Sequence, residues 1–261
     1  MPSATEKMKK TGTAFHGIAA LAAALGLTLA LGGCTRIDAT SPSQARGHAA
    51  AGAPAAFGTV DCRRAKCVAL TFDAGPSENS PRLLDILKEK QVPATFFLLG
   101  ARHIEKYPDL VERMAAEGHE VASHTWDHKI LTKISDAQIR EELSRPNAAI
   151  ERLTGRRPTL MRPPQGRTDD TVHKISKEMG MAEVLWSVTA KDYTTNDSAL
   201  ITKRVLDQVS RDGIILMHDI YPGTVPAVPG IIDALKERGY SFVTVPQLLA
   251  PGKPEPGKVY R

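Results

Sequence analysis

The feature that most constrains the fold is a regular alternation between short apolar runs and amphipathic stretches, which extends from about residue 60 to residue 250. Strands that alternate with helices in this way pair in parallel, through right-handed crossovers. The apolar runs predict strands at residues 68–73, 94–99, 120–123, 160–162, 183–188, 214–218 and 242–245. The amphipathic stretches predict helices at residues 81–89, 109–117, 136–153, 170–179, 198–211 and 230–238.

This alternation predicts an α/β fold with about seven parallel strands, arranged either as an open sheet or as a (β/α) barrel. The chain has 261 residues, of which 42% are hydrophobic and 24% are charged. The composition is ordinary for a globular protein, and the length fits one sizeable core but is too short for two large domains. In a (β/α) barrel the chemistry lies at the carboxyl ends of the strands, so the residues that follow each strand are the candidates for function.

The first 34 residues have the pattern of an export signal. A lysine-containing start precedes an Ala/Leu/Gly-rich stretch that ends in Leu31-Gly32-Gly33-Cys34. Small residues before a cysteine at this place are typical of a bacterial lipobox, so Cys34 is predicted to be lipidated. A transmembrane anchor is the alternative, and the glycines that interrupt the apolar run disfavour it.

The rest of the chain divides into three segments. Residues 35–58 are rich in Ala, Gly, Ser and Pro and are predicted to be a flexible linker. Residues 59–250 form the predicted domain, and residues 251–261 are expected to be a loose tail. The protein is therefore expected to be exported and either lipid-anchored at the outer face of a bacterial cytoplasmic membrane or secreted. It is expected to be a monomer that contacts the membrane through its lipid alone.

The cysteine count agrees with an exported protein. With Cys34 lipidated, Cys62 and Cys67 remain as a pair, and they are predicted to form a small disulfide at the start of the first strand. A metal site is the alternative, but two cysteines with four residues between them are an unusual spacing for a metal site. The net charge of +5 is spread along the chain without a Lys/Arg block, so no nucleic-acid partner is expected.

Ionisable residues follow five of the predicted strands, which indicates a single site. The strand ends carry Asp73, the run Ser123-His124-Thr125-Trp126-Asp127-His128, the run Arg162-Pro163-Pro164-Gln165-Gly166, the run Thr189-Ala190-Lys191-Asp192-Tyr193, and His218-Asp219. His124 and His128 are four residues apart, so on one helical turn both imidazoles would reach the same ion. By itself such a pair is also compatible with ordinary surface or core histidines.

The motifs TFDAGP, HTWDH, RPPQG and LMHD occur in an order that resembles the polysaccharide deacetylases, the NodB-homology or carbohydrate esterase 4 family. The resemblance extends over about residues 60 to 250. It implies a distorted (β/α) barrel that hydrolyses N-acetyl groups of chitin-like or peptidoglycan sugars, or O-acetyl groups of xylan. It also implies a divalent metal, in most cases zinc, and an acetylated polysaccharide as substrate.

The resemblance assigns a role to each matching residue. Asp73 matches the catalytic base, and Arg162 the arginine that holds this base ionised and oriented. His124 and His128 match the metal-binding histidines, and His218 matches the general acid. The implied substrate pocket consists of Pro164, Gln165, Gly166, Asp192, Tyr193 and Leu216, with Leu216 as the wall for the acetyl methyl group.

Two departures from the family pattern bear on catalysis. Ala74 stands where the family has a metal-binding aspartate, and Thr189 where it is expected to have the aspartate that orients the acid. Water, Asp73 or Glu78 are conceivable replacements for the lost ligand, and Asp192 for the lost orienting carboxylate. Gln165 and Tyr193 replace aromatic residues of the family, which are milder changes. The sequence thus predicts a metal-dependent deacetylase, with a catalytically impaired carbohydrate-binding protein as the alternative.

Overall fold

The computed structural model describes residues 37–47 and 60–261. The strands are β1 (Ala39–Thr40), β2 (Lys66–Asp73), β3 (Thr95–Leu98), β4 (Glu120–Ser123), β5 (Leu160–Met161), β6 (Ala182–Val184), β7 (Val188–Thr189), β8 (Gly213–His218), β9 (Tyr240–Phe242) and β10 (Val259–Tyr260). The helices are α1 (Pro42–Gly47), α2 (Ser80–Lys90), α3 (Pro108–Ala116), α4 (Asp136–Thr154), α5 (Asp170–Glu178), α6 (Ser198–Gln208), α7 (Thr224–Glu237) and α8 (Val245–Leu249).

The strands form one curled parallel sheet in the order β1-β10-β6-β5-β4-β3-β2-β8-β7, with β9 paired to β2. Helices lie between most consecutive strands, as is usual for crossovers between parallel strands, but none lies between β6 and β7. The predicted distorted (β/α) barrel is confirmed, and the described part of the chain contains ten strands where about seven were expected. The additional strands are short, and β1, β7 and β10 have two residues each.

Strand β2 lies in the interior of the sheet and pairs with β3, β8 and β9. Its sequence KCVALTFD is buried from Cys67 to Asp73, as is usual for a strand covered on both faces. The register with β8 places Asp73 directly opposite His218. The register of β4 with β5 pairs Ser123 with Met161, so that the residues following both strands emerge side by side.

Two predicted strands have different structures from those expected. The predicted strand 183–188 is divided into β6 and β7, which lie at different places in the sheet. The predicted strand 242–245 ends at Phe242, because Thr244 caps helix α8 in a capping box with Gln247. Helix α7 begins at Thr224, six residues before the predicted helix 230–238.

The predicted linker and tail are also corrected in part. Residues 37–47 of the predicted linker 35–58 form β1 and α1, and Arg46 donates a hydrogen bond to the carbonyl of Leu248 at 2.7 Å. In the predicted loose tail 251–261, strand β10 lies between β1 and β6. The predicted export signal 1–34, Cys34 and residues 48–58 lie outside the described residues.

The predicted disulfide between Cys62 and Cys67 is confirmed, with the two Cα atoms 5.5 Å apart. It closes the turn that leads into β2. None of the helices in the described ranges combines the length and the apolar character that a bilayer crossing requires.

We expect the carboxyl-terminal strand to contribute to stability. Tyr260 is fully buried with the side chains of Val184 and Leu249, so Tyr260→Ala removes a large aromatic group from the core. The expected loss is about 3–5 kcal/mol in the free energy of unfolding. Urea denaturation measures this loss, with Lys258→Ala, an exposed residue next to the same strand, as the control. Equal stability of the two variants would mean that residues 251–261 are the loose tail that the sequence predicted.

Candidate active site

The candidate site lies at the carboxyl end of the sheet, where β2, β4, β5 and β8 end side by side. The structure brings together Asp73, His124, His128, Arg162 and His218, the residues that the sequence motifs predicted. Cys62 and Cys67 lie at the opposite end of β2, and Glu78 is exposed on the turn before α2.

A buried ion pair between Asp73 and Arg162 lies at the bottom of this site. Nη1 of Arg162 lies 2.7 Å from Oδ1 of Asp73 and 2.7 Å from Oγ1 of Thr71. The other guanidinium nitrogens donate to the carbonyls of Val184 and Leu185, at 2.9 and 3.1 Å. Arg162 has no exposed side-chain surface and Asp73 has almost none. Because this arginine fixes Oδ1, the second oxygen of Asp73, Oδ2, is left facing the histidines.

The two histidines of the HTWDH motif lie next to each other, with ring centroids 4.9 Å apart. Nδ1 of His124 is 2.8 Å from the carbonyl of Arg162. A carbonyl oxygen only accepts, so Nδ1 carries the proton and Nε2 keeps its lone pair. Nε2 lies 3.8 Å from Oδ2 of Asp73. Burial lowers the pKa of His124 to about 4 and also lowers the pKa of His128.

These donors fit a divalent cation in part. Neutral imidazoles are zinc ligands, and a carbonyl that fixes the tautomer of His124 is a frequent outer partner of such ligands. Ala74 supplies no donor atom, and the described residues contain no cluster of three His, Cys, Asp or Glu side chains that would hold a metal. The chain therefore offers two histidine ligands, with Asp73 as the nearest carboxylate, and the three-residue ligand set implied by the resemblance is incomplete.

His218 is held by a carboxylate, although not by one at position 189. Oδ1 of Asp192 lies 2.9 Å from Nδ1 of His218, and Oδ2 accepts from the backbone N–H of His218 at 2.6 Å. Thr224 donates to the same Oδ2 at 2.8 Å. Asp192 is thus buried beneath His218 rather than exposed in the substrate pocket, which corrects its predicted place. Thr189 does not take part in this contact, and the carboxylate on His218 is that of Asp192, which the sequence offered as a conceivable replacement.

The environment of His218 favours its protonated form. Burial lowers the pKa of His218. The hydrogen bond and the charge of Asp192, together with the charge of Asp73, raise the same pKa by more than burial lowers it. The resulting pKa of His218 lies above its ordinary value, as suits a group that donates a proton near neutral pH. In the tautomer fixed by Asp192, Nδ1 bears the hydrogen that contacts this carboxylate, and Nε2 is the nitrogen available to a substrate.

The predicted pocket residues surround this pair of groups. Leu216 lies two residues before His218 on β8, so both side chains project from the same face of the strand. Pro164, Gln165 and Gly166 form a short turn after β5. Tyr193 is 54% exposed, with its ring 6.1 Å from the ring of His218.

The backbone of the site adopts conformations that are rare for residues with side chains. Among the described non-glycine residues with positive φ, six lie in the segments that follow strands at this end of the sheet: Ala74, Arg102, Thr125, His128, Gln165 and Lys191. Such conformations concentrate where the surrounding structure fixes them for function. Ala74 has φ 64°, a region where aspartate is enriched over alanine, so the backbone there suits the residue that the family has.

Three contacts of the site were missed in the sequence. Thr71 lies two residues before Asp73, and alternation along a strand was a signal that both face the barrel interior. Tyr221, whose ring is 5.4 Å from that of His218, had no signal beyond following the LMHD motif. Thr224 was placed before a predicted helix, although it begins α7 and contacts Asp192.

Comparison with known proteins identifies the group to which the chain is similar. The family model described as polysaccharide deacetylase matches residues 61–184. The chain is 40% identical over 184 residues to the peptidoglycan-N-acetylglucosamine deacetylase PgdA of Listeria monocytogenes. This alignment covers 70% of the chain and 39% of PgdA, so the chain spans well under half the length of that relative.

Two solved structures extend the comparison. A structure named T48 deacetylase with substrate is 41% identical, with a TM-score of 0.74, and the match covers 78% of this chain and all of that one. A carbohydrate esterase 4 pseudoenzyme from Bacillus anthracis is 29% identical, with a TM-score of 0.68, over 76% of this chain and 70% of its own. The fold is thus similar both to a deacetylase and to a protein described as a pseudoenzyme.

The contact between Asp192 and His218 predicts a pH effect. Asp192→Asn removes the charge that raises the pKa of His218, so this pKa falls. A group that must donate a proton is then lost at lower pH, and the alkaline limb of the pH profile for acetate release moves to lower pH. Thr189→Val should leave the profile in place. An unchanged alkaline limb in Asp192→Asn would contradict the role of this carboxylate.

Proposed function

This chain belongs to the polysaccharide deacetylase family, and from that premise we propose that it hydrolyses N-acetyl groups of a cell-envelope or environmental polysaccharide. O-acetyl groups are the alternative substrate. The observation that carries the proposal is the pairing of Asp73 with His218 across β2 and β8. Each of these residues has its own buried partner, Arg162 for the carboxylate and Asp192 for the imidazole.

In the proposed reaction, Asp73 removes a proton from water as the water oxygen attacks the acetyl carbonyl carbon. Oδ2 is the oxygen for this step, because Oδ1 is held by Arg162. The protonated His218 then donates its Nε2 proton to the amide nitrogen as the carbon–nitrogen bond breaks. The products are acetic acid, which ionises to acetate, and a free amine. Asp73 then releases its proton to solvent and His218 takes one up, so both groups return to their starting forms.

The acid and the base are kept distinct by their surroundings. The positive charge of Arg162 next to Asp73 and the negative charge of Asp192 next to His218 oppose proton transfer between the two groups. Enzymes that use an acid and a base together rely on such separated environments. The backbone N–H of Gln165, in the turn after β5, is the proposed donor to the developing oxyanion.

His124 and His128 would hold a divalent cation, which we propose to be zinc, bound more weakly than with three protein ligands. When bound, such an ion lowers the pKa of a water ligand and polarises a carbonyl. The two imidazoles are neutral at pH 7, so they are already in the form that binds a metal. Oδ2 of Asp73 is the nearest carboxylate oxygen to this pair.

The polysaccharide itself would lie against the aromatic side chains at the rim. Tyr193 is exposed and Tyr221 partly so, and both rings flank His218. Pyranose rings present C–H groups that pack on aromatic faces, while the phenol hydroxyls remain free for the sugar hydroxyls. The lipobox-like motif that ends in Cys34 supports an exported, lipid-anchored location, where such a substrate is within reach.

The second candidate is a carbohydrate-binding protein without catalytic activity. Ala74 favours it, because one metal-binding carboxylate is replaced and the described donors fall short of three. The satisfied contacts of Asp73, Arg162, Asp192 and His218 favour the enzyme. Both candidates share the groove and the tyrosines, and they differ in whether acetate is released.

Removal of either proposed proton-transfer group should reduce activity. We expect Asp73→Asn and His218→Ala each to lower the rate of acetate release from an acetylated chito-oligosaccharide by roughly 100- to 10,000-fold. Circular dichroism should show that both variants remain folded. Asp233→Asn, which changes an exposed carboxylate on α7, is the matched control and should retain full activity. Full activity in both site variants would exclude the proposed mechanism.

Restoring the carboxylate at position 74 separates the two candidates. The left-handed backbone at Ala74 accepts aspartate, so Ala74→Asp should fold normally and bind zinc more tightly in calorimetric titration. Zinc-dependent acetate release by the native protein would support the enzyme. Release that appears only in Ala74→Asp would instead favour the carbohydrate-binding candidate.

A further inference from the structure

Residues 124–128, here called the histidine loop, have a backbone that is held from outside the loop. Thr125 and His128 adopt left-handed conformations, with φ of 75° and 59°. For a β-branched residue such as Thr125 this is a genuine outlier. Within the loop, the hydroxyl of Thr125 accepts the N–H of His128 at 3.1 Å. One internal contact is a weak restraint for this conformation, so the surrounding side chains must supply the rest.

Glu142 of helix α4 supplies one such contact. Its Oε2 accepts the backbone N–H of Trp126 at 3.1 Å and that of Asp127 at 2.8 Å. Its Oε1 lies 3.0 Å from Nζ of Lys129, directly after the loop. Glu142 is 2% exposed, and a buried carboxylate is costly unless it is paired and hydrogen-bonded. All of the observed partners of this carboxylate belong to the histidine loop or to the residue after it.

The opposite side of the loop is fixed by the segment that follows β3. The N–H groups of Gly100 and Ala101 donate to the carbonyls of Thr125 and Trp126, at 3.1 and 3.0 Å. The Trp126 indole lies on Gly100 so closely that a Cβ there would be 2.0 Å from Cε3. The guanidinium of Arg145 covers the same indole at 4.0 Å. Glu142 therefore completes an enclosure whose other walls are backbone and aromatic contacts.

We propose that Glu142 is a positioning residue that preforms the histidine loop, so that His124 and His128 face Asp73 without help from a carboxylate at position 74. The proposal rests on the function proposed above and names what compensates for Ala74. A charged acceptor that binds two successive amides is stronger than a neutral one, and side chains placed in advance lose less entropy when a ligand binds. Glu142 touches neither substrate nor metal, and it acts through the loop.

The test compares three variants in the whole protein. Glu142→Leu keeps the bulk and removes the acceptor, while Glu142→Gln keeps a neutral acceptor. Glu151→Leu makes the first change on an exposed glutamate of the same helix, which pairs with Arg157 away from the histidine loop, and is the matched control. Two readouts are independent of activity. The first is the NMR chemical shifts of the imidazole rings of His124 and His128 in histidine-labelled protein. The second is the rate of hydrogen exchange at the backbone amides of Trp126 and Asp127. Acetate release is measured in parallel.

We expect Glu142→Leu to shift both ring signals, to speed exchange at both amides and to lower acetate release by about 100-fold, the cost of a misplaced catalytic group. Glu142→Gln should give smaller changes of the same kind, and Glu151→Leu should give none. Unchanged ring signals and exchange in Glu142→Leu would overturn the proposal. If that variant does not fold, Glu142→Gln with exchange no faster than in Glu151→Leu would overturn it. If the native protein releases no acetate, the proposed function fails, but the ring signals and the amide exchange still show whether Glu142 positions the histidine loop. The two failures are therefore distinguishable.

Discussion

The ion pair between Arg162 and Asp73 is the contact on which the rest of the site depends. A guanidinium with no solvent exposure is tolerated only when it is paired and hydrogen-bonded, and here Thr71, Asp73 and two carbonyls at the end of β6 accept from its three nitrogens. The same arginine carries the backbone carbonyl that sets the tautomer of His124. One residue therefore joins β2, β4, β5 and β6 and at the same time orients a carboxylate and an imidazole. Its removal would leave an unpaired buried charge on Asp73 and would remove the hydrogen bonds that link β5 to β2 and β6.

The sheet register explains why such a site forms at all. Parallel strands with the register of β2 and β8 bring Asp73 and His218 to the same level, so no long loop is needed to place the proposed base and acid. The partners differ in origin. Arg162 approaches from inside the barrel, whereas Asp192 approaches from the turn after β7. The carboxylate beside Arg162 and the imidazole beside Asp192 therefore have opposite electrostatic surroundings only one strand apart, which is the condition for an acid and a base to work together.

Much of this arrangement could be predicted from the sequence, because strand ends in a (β/α) fold converge and the ionisable residues follow the strands. The sheet class and the gathering of Asp73, His124, Arg162 and His218 were accessible in this way. For the orienting carboxylate the sequence offered Asp192 as a conceivable source, but only the turn geometry decides whether this residue reaches His218. Glu142 was also out of reach, since a glutamate in an amphipathic helix gives no sign that it faces inward. The pairing of β10 with β1 and β6 depends on residues distant in sequence, which local patterns do not report.

Ala74 changes how Asp73 can be used. With an aspartate at both positions, one carboxylate would bind the cation and the other would remain the base. With Ala74, Oδ2 of Asp73 is the nearest carboxylate oxygen to His124, and Oδ1 is already bound to Arg162. If Oδ2 binds a cation, it is no longer available to take a proton, so ligand and base compete for one atom. A histidine loop held in place by Glu142 eases this competition, because two preformed imidazoles can hold an ion without recruiting Asp73. Whether the protein hydrolyses acetyl groups or only binds carbohydrate therefore depends on how firmly the histidine loop is fixed.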